Sequence, residues 1–103
     1  MIRKPVVAGM FYPSGPEELK KLLVDLFSGT RKGESLGAIS PHAGYIYSGR
    51  GSAFAINSLK EAKSFIVLGP NHTGMGRRFS ILSEGEWETP LGRVRLDSGL
   101  ARS

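Results

Sequence analysis

Between Glu17 and Ser28 the apolar side chains return at helical spacing: Leu19, Leu22, Leu23, Leu26 and Phe27. That rhythm lays them along one face of an α-helix. Ser14-Gly15-Pro16-Glu17 stands before it as a start signal, with Ser14 as cap, Pro16 in the first turn and Glu17 closing a capping box. Ser28-Gly29 ends the helix. Leu36-Gly37-Ala38-Ile39-Ser40 is a short apolar run that fits a buried strand, stopped by Pro41, which has no N–H for a central ladder. A second helix fits from Gly49 to Leu59, with Ala53, Phe54, Ile56 and Leu59 as its apolar contacts. Ser64-Phe65-Ile66-Val67-Leu68 is a clearer buried strand, closed by Gly69-Pro70.

Strand, helix and strand in this order predict a βαβ unit with parallel strands and a right-handed crossover. Parallel strands need cover on both faces, which the two helices begin to provide. After Gly76 the pattern changes. Phe79 to Leu82 reads as a further strand, and Glu86–Thr89 and Arg93–Leu96 alternate around the turn Pro90-Leu91-Gly92, which predicts a hairpin or edge pair. Asp97-Ser98 resembles a helix cap. The fold class expected is α/β: an incomplete, mostly parallel or mixed sheet with flanking helices and a C-terminal hairpin. Nothing divides the chain into two domains, and a helix announced so near its end suggests that residues 1–103 are the N-terminal portion of one larger domain.

The topology gives the candidate chemistry. His42 follows the first expected strand and His72 the second, and loops beyond the carboxyl ends of parallel strands are where open α/β folds place ligands. Both imidazoles are therefore expected at one rim, as metal ligands or as an acid–base pair. A third ligand is not evident: Asp25 and Glu34 precede the first strand, and Glu84, Glu86 and Glu88 belong to the hairpin. Tyr45 and Tyr47 share a side if that stretch is extended, lining a pocket or packing over the sheet edge. Asn71 is either a pocket residue or a residue that bonds its own loop. Arg50, between Gly49 and Gly51 at a helix start, is a candidate anion clamp beside its alternative as a solvated side chain. Trp87 closes a cleft rim or covers the core from an edge strand.

Composition narrows the classes. The chain has no cysteine, which excludes disulfides and thiolate metal sites within it. Its net charge of +5 is spread over scattered pairs such as Arg3-Lys4 and Arg77-Arg78. No basic helix interleaved with aromatics results, so no nucleic-acid partner is expected. No apolar stretch approaches the length of a membrane span, and cytoplasmic localisation is the default expectation. An isolated chain of this kind is expected to self-associate, because its sheet lacks cover.

Four stretches together carry a resemblance: Arg3-Lys4-Pro5-Val6-Val7-Ala8-Gly9-Met10-Phe11-Tyr12-Pro13, Pro41-His42-Ala43-Gly44-Tyr45-Ile46-Tyr47-Ser48-Gly49, Gly69-Pro70-Asn71-His72-Thr73-Gly74, and Trp87-Glu88-Thr89-Pro90-Leu91-Gly92. The chain resembles the N-terminal part of the Memo family, the AmmeMemoRadiSam system protein B-like proteins, which are distantly similar to class III extradiol dioxygenases. The resemblance implies a phosphorylase/dioxygenase-like α/β fold and places His42 and His72 at two metal-ligand positions, for iron or copper. The family's third ligand, commonly a cysteine, would lie in later sequence. Two functions follow as expectations: a metal-binding redox or oxygenase-like activity on a small aromatic substrate, or a non-catalytic signalling or scaffold protein that binds a peptide or anion in the same cleft.

Overall fold

The computed structural model describes residues 1–103. In chain order the elements are β1 (Ile2–Arg3), α1 (Pro16–Phe27), α2 (Tyr45–Asn57), β2 (Glu86–Thr89), β3 (Gly92–Arg95) and α3 (Ser98–Arg102). The architecture is α/β, with a small mixed sheet that does not close, flanking helices and a C-terminal hairpin. The strand order is β1-β2-β3, with β1 parallel and β3 antiparallel to β2.

Helix α1 forms as its spacing predicts. Leu19 is buried, Leu22, Leu23, Leu26 and Phe27 are half-buried, and Val24 on the opposite face is exposed. Its start differs from expectation. Gly15 is the cap, Pro16 opens the helix, and no side chain from Ser14 or Glu17 completes a capping box. Proline needs no partner for a missing N–H, and an acidic first turn of Glu17 and Glu18 favours the positive end of the helix dipole.

Helix α2 begins at Tyr45, four residues earlier than the apolar pattern indicates. The Tyr45 N–H donates to the Phe11 carbonyl at 2.8 Å, and the Ser48 hydroxyl donates to the Ala43 carbonyl at 2.9 Å. These bonds satisfy donors and acceptors at the helix entry, which periodicity cannot register. The two helices pack on one another, with buried Gly49 of α2 against Leu26 of α1, and Leu19 and Ala53 are the buried apolar side chains of the pair.

The expected βαβ ladder is not formed. Leu36–Ser40, Ser64–Leu68 and Phe79–Leu82 belong to no strand. The approaches to the first two are joined by the isolated bridge Ser35↔Leu59, with Lys60 N–H donating to the Ser35 carbonyl at 2.9 Å, and by the Gly33 N–H donating to the Asn57 carbonyl at 2.8 Å. Pairing of parallel strands is driven by burial of both faces. Here Ile39 is 98% exposed and Leu68 91%, so that drive is missing.

The hairpin is as the alternation indicates, with Trp87 opposite Val94 and Glu88 opposite Arg93. Gly92, at φ +136°, adopts a backbone conformation that side chains rarely tolerate. Asp97 caps α3 by accepting from the Leu100 N–H at 3.0 Å. The Ser64 hydroxyl also donates to Asp97, at 2.5 Å, and with the Leu100 N–H it holds that carboxyl below its ordinary range. No helix is long and apolar enough to cross a membrane.

Candidate functional site

His42 sits in the turn that enters α2. The Ser52 hydroxyl donates to the Pro41 carbonyl at 2.7 Å, and Ser48 holds Ala43 from the same helix. Ser48 and Ser52 lie one helical turn apart, so α2 clamps the loop on both sides of the imidazole. His72 stands in a turn that Asn71 organises. The Asn71 amide oxygen accepts from the Thr73 and Gly74 N–H groups at 3.1 and 3.0 Å, and its nitrogen donates to the Met75 carbonyl at 2.8 Å. Gly74 and Gly76, at φ +70° and +82°, permit the tight path. Asn71 therefore shapes the loop.

The two imidazole rings lie with centroids 5.3 Å apart and planes tilted by 43°. Both side chains are exposed. The rings thus meet although the strands expected to deliver them do not pair. No group of three or more His, Cys, Asp and Glu residues is gathered to hold a metal ion. Two of the three candidate carboxylates are engaged elsewhere: Glu88 lies 3.5 Å from Arg93, and Glu84 pairs with Arg102 at 2.6 Å.

A cleft of about 300 Å³ opens between α1, α2 and the Phe11-Tyr12 turn, with His42 in its lining. Leu23, Leu26, Phe27, Ala53 and Ile56 make its wall largely apolar. Tyr45 enters it and packs against Tyr12, with ring centroids 5.4 Å apart. Burial pushes the Tyr45 phenol above its ordinary range, and the nearby Tyr12 phenol adds to the rise. The unfolded chain would release this proton first, near pH 10, while the folded chain still holds it. Stability is therefore undiminished below about pH 10 and falls as pH rises toward the raised folded value. Urea melts from pH 8 to 11 are expected to show that alkaline loss, and Tyr45→Phe to remove part of it. Equal slopes in both proteins would disprove the assignment.

Three candidates take other roles. Tyr47 is 87% exposed, because residues two apart on a helix point in widely different directions, whereas on an extended chain they would share a side. Arg50 does not face the cleft as an anion clamp. Its guanidinium donates to the Leu26 and Asp25 carbonyls at 2.7 and 3.3 Å and lies 5.0 Å from the Phe54 ring centroid. It caps the negative end of α1. Trp87 belongs to the small sheet and does not line the cleft. Periodicity missed Phe11, Tyr12 and Ser52. The clue to the first two was an apolar aromatic pair held between Gly9 and Pro13, a turn without a regular element.

Comparison with known proteins gives a consistent answer. Residues 3–103 match the family described as Memo-like protein. A MEMO1 family protein of Methanosarcina barkeri is 46% identical over 102 residues, which cover 97% of this chain and 38% of the relative. One from Methanosarcina acetivorans is 48% identical with the same coverage. A third, from Pyrococcus furiosus, is 43% identical over 108 residues, covering 99% of this chain and 37% of its own length. The chain thus spans well under half the length of these relatives.

Proposed function

Because the chain belongs to the family of Memo-like proteins, we propose that it is a non-catalytic binding protein for a peptide or a small anionic ligand. The cleft between α1 and α2 receives an apolar side chain, and His42 and His72 meet an acidic group at its mouth. One observation carries this reading: His42 belongs both to the apolar wall and to the imidazole pair. A volume of about 300 Å³ suits one aromatic side chain. Imidazole N–H groups beside it supply donors for a carboxylate or phosphate.

N-acetylphenylalanine, with ring and carboxylate adjacent, is a direct probe. Amide resonances of Ala53 and Tyr45 are expected to shift on titration, and the uncharged amide of the same compound to bind about tenfold more weakly, as the loss of one charge-assisted hydrogen bond implies. His72→Ala should erase that preference and leave the ring contact. Equal binding of acid and amide to the unaltered chain would rule out the imidazole role.

A second reading, metal-binding with redox or oxygenase-like activity, is favoured by the ring spacing. With metal–nitrogen bonds of about 2 Å and a ring radius of roughly 1 Å, two imidazoles on one ion have centroids about 5 Å apart. The observed 5.3 Å fits that figure. Iron or copper would be held by His42 and His72 together with a donor from outside these residues. Bound there, it would supply Lewis acidity and a redox centre for a small aromatic substrate. Tyr45 and Tyr12 would then orient the substrate ring in the cleft.

A further inference from the structure

Serine hydroxyls inside a helix ordinarily turn to solvent or bond the carbonyl four residues back. The two serines of α2 reach out of their own helix instead. Ser52 donates to the Pro41 carbonyl, eleven residues back, at 2.7 Å. Ser48 donates to the Ala43 carbonyl at 2.9 Å, the shorter of its two contacts, with the Gly44 carbonyl of the ordinary pattern at 3.5 Å. Pro41 and Ala43 are the chain neighbours of His42 on either side.

Pro41 is held to α2 in a second way. A Cβ at Gly51 would lie 3.2 Å from the Pro41 Cγ, so the proline ring rests on the helix where glycine leaves room for it. The Ser40 hydroxyl also donates to the Pro41 carbonyl, at 3.0 Å, but it belongs to the same loop and cannot tie that loop to the helix. Alanine favours a helix more than serine does. Helix stability therefore does not account for hydroxyls at these two positions. What they add is a fixed relation between a helix and the backbone on both sides of one imidazole, and supporting bonds of that kind hold a site's geometry. The ring so placed is the one that meets His72, with centroids 5.3 Å apart.

We propose that Ser48 and Ser52 are positioning residues for His42: through the Ala43 and Pro41 carbonyls they hold its imidazole against that of His72, and so set how well the pair grips an acidic group. The grip rests on the binding role proposed above, whereas the placing of the ring does not.

The test compares Ser52→Ala, the double variant Ser48→Ala with Ser52→Ala, and Ser52→Thr, by two readouts. In the ligand-free chain, the nuclear Overhauser contact between the His42 and His72 ring protons is expected to persist in Ser52→Thr, which keeps the hydroxyl. It should weaken in Ser52→Ala and be lost in the double variant. The preference for N-acetylphenylalanine over its amide should follow the same order, from about tenfold to about twofold or less in the double variant, because a charge-assisted hydrogen bond depends on distance and angle. Circular dichroism should show undiminished helix in all three. A ring contact that survives both alanines would overturn the proposal, as would its absence from the unaltered chain. So would a loss that Ser52→Thr shares with Ser52→Ala, or one that appears only as the helix melts. Equal binding of acid and amide by the unaltered chain would end the binding role and leave the ring contact to decide the placing of His42. An acid preference that outlasts the ring contact would overturn the link from position to grip.

Discussion

Gly49→Val is expected to lower the unfolding free energy by roughly 2–3 kcal/mol, the cost of overpacking a helix crossing. A Cβ at Gly49 would lie 2.8 Å from one Leu26 methyl, 3.2 Å from the other and 3.4 Å from the Tyr45 Cβ. The first of these contacts is closer than carbon atoms approach in folded proteins, so Leu26 must move or the helices must part. Leu26 is a flexible end, so Gly49→Ala should be milder. Alanine also gains about 1 kcal/mol of helix propensity over glycine, which offsets part of the clash. Valine loses that gain to its branched Cβ and adds two methyls at the same point. Urea unfolding followed at 222 nm measures the difference. Leu26→Ala combined with Gly49→Ala should recover part of the loss, since the two positions are in contact and couple. A Gly49→Val midpoint equal to that of the unaltered chain would mean that α1 and α2 do not meet at this point. The same variant should lose N-acetylphenylalanine, because Leu26 and Gly49 both line the cleft.

Local rules explain why some features were legible in the sequence. The apolar face of α1, the alternation of Glu86–Thr89 with Gly92–Arg95, and the Asp97 cap each depend on residues close in the chain. Patterns at that range report directly on hydrogen-bonding geometry. The meeting of His42 and His72 was legible for a different reason. Two loops that follow two co-directional segments share an edge even when the ladder between those segments is unmade.

What escaped the sequence depends on contacts distant along the chain. Arg50 bonds carbonyls at Asp25 and Leu26, and the start of α2 is set by Phe11; neither leaves a periodic trace. The two-residue strand β1 is too short to alternate, and it pairs with β2 across most of the chain. Gly85 was its only local sign: at φ +109° and against the Met1 carbonyl, it leaves no room for a side chain. The expected strands failed for an energetic reason. Their composition is that of a covered sheet, but burial, which would make pairing favourable, is a property of what packs on them.

On the second functional reading, a single divalent ion such as cobalt or copper is expected to bind per chain, and His42→Ala or His72→Ala to weaken it by at least about 100-fold each. The estimate follows from the sensitivity of metal sites to their supporting groups, whose loss alone costs about 10–100-fold. Because both imidazoles are exposed and neither lies at a packed helix contact, their removal should leave the melting curve of the metal-free chain unchanged. Asn71→Ala offers a finer discrimination. It leaves both nitrogen donors in the sequence but removes the amide that shapes the His72 turn through Thr73, Gly74 and Met75. If shared coordination operates, this variant should fall between the unaltered chain and His72→Ala in affinity. Absorption bands of bound cobalt or copper report the ligand set directly, so a loss of affinity can be tied to a loss of imidazole. Two ions bound independently, one per histidine, would defeat shared coordination, as would an His72→Ala chain whose spectrum and affinity match the original. The spacing of the rings makes one shared ion the expected result, since adjacent imidazoles that bound two cations would hold like charges at close range with nothing between them to offset the repulsion.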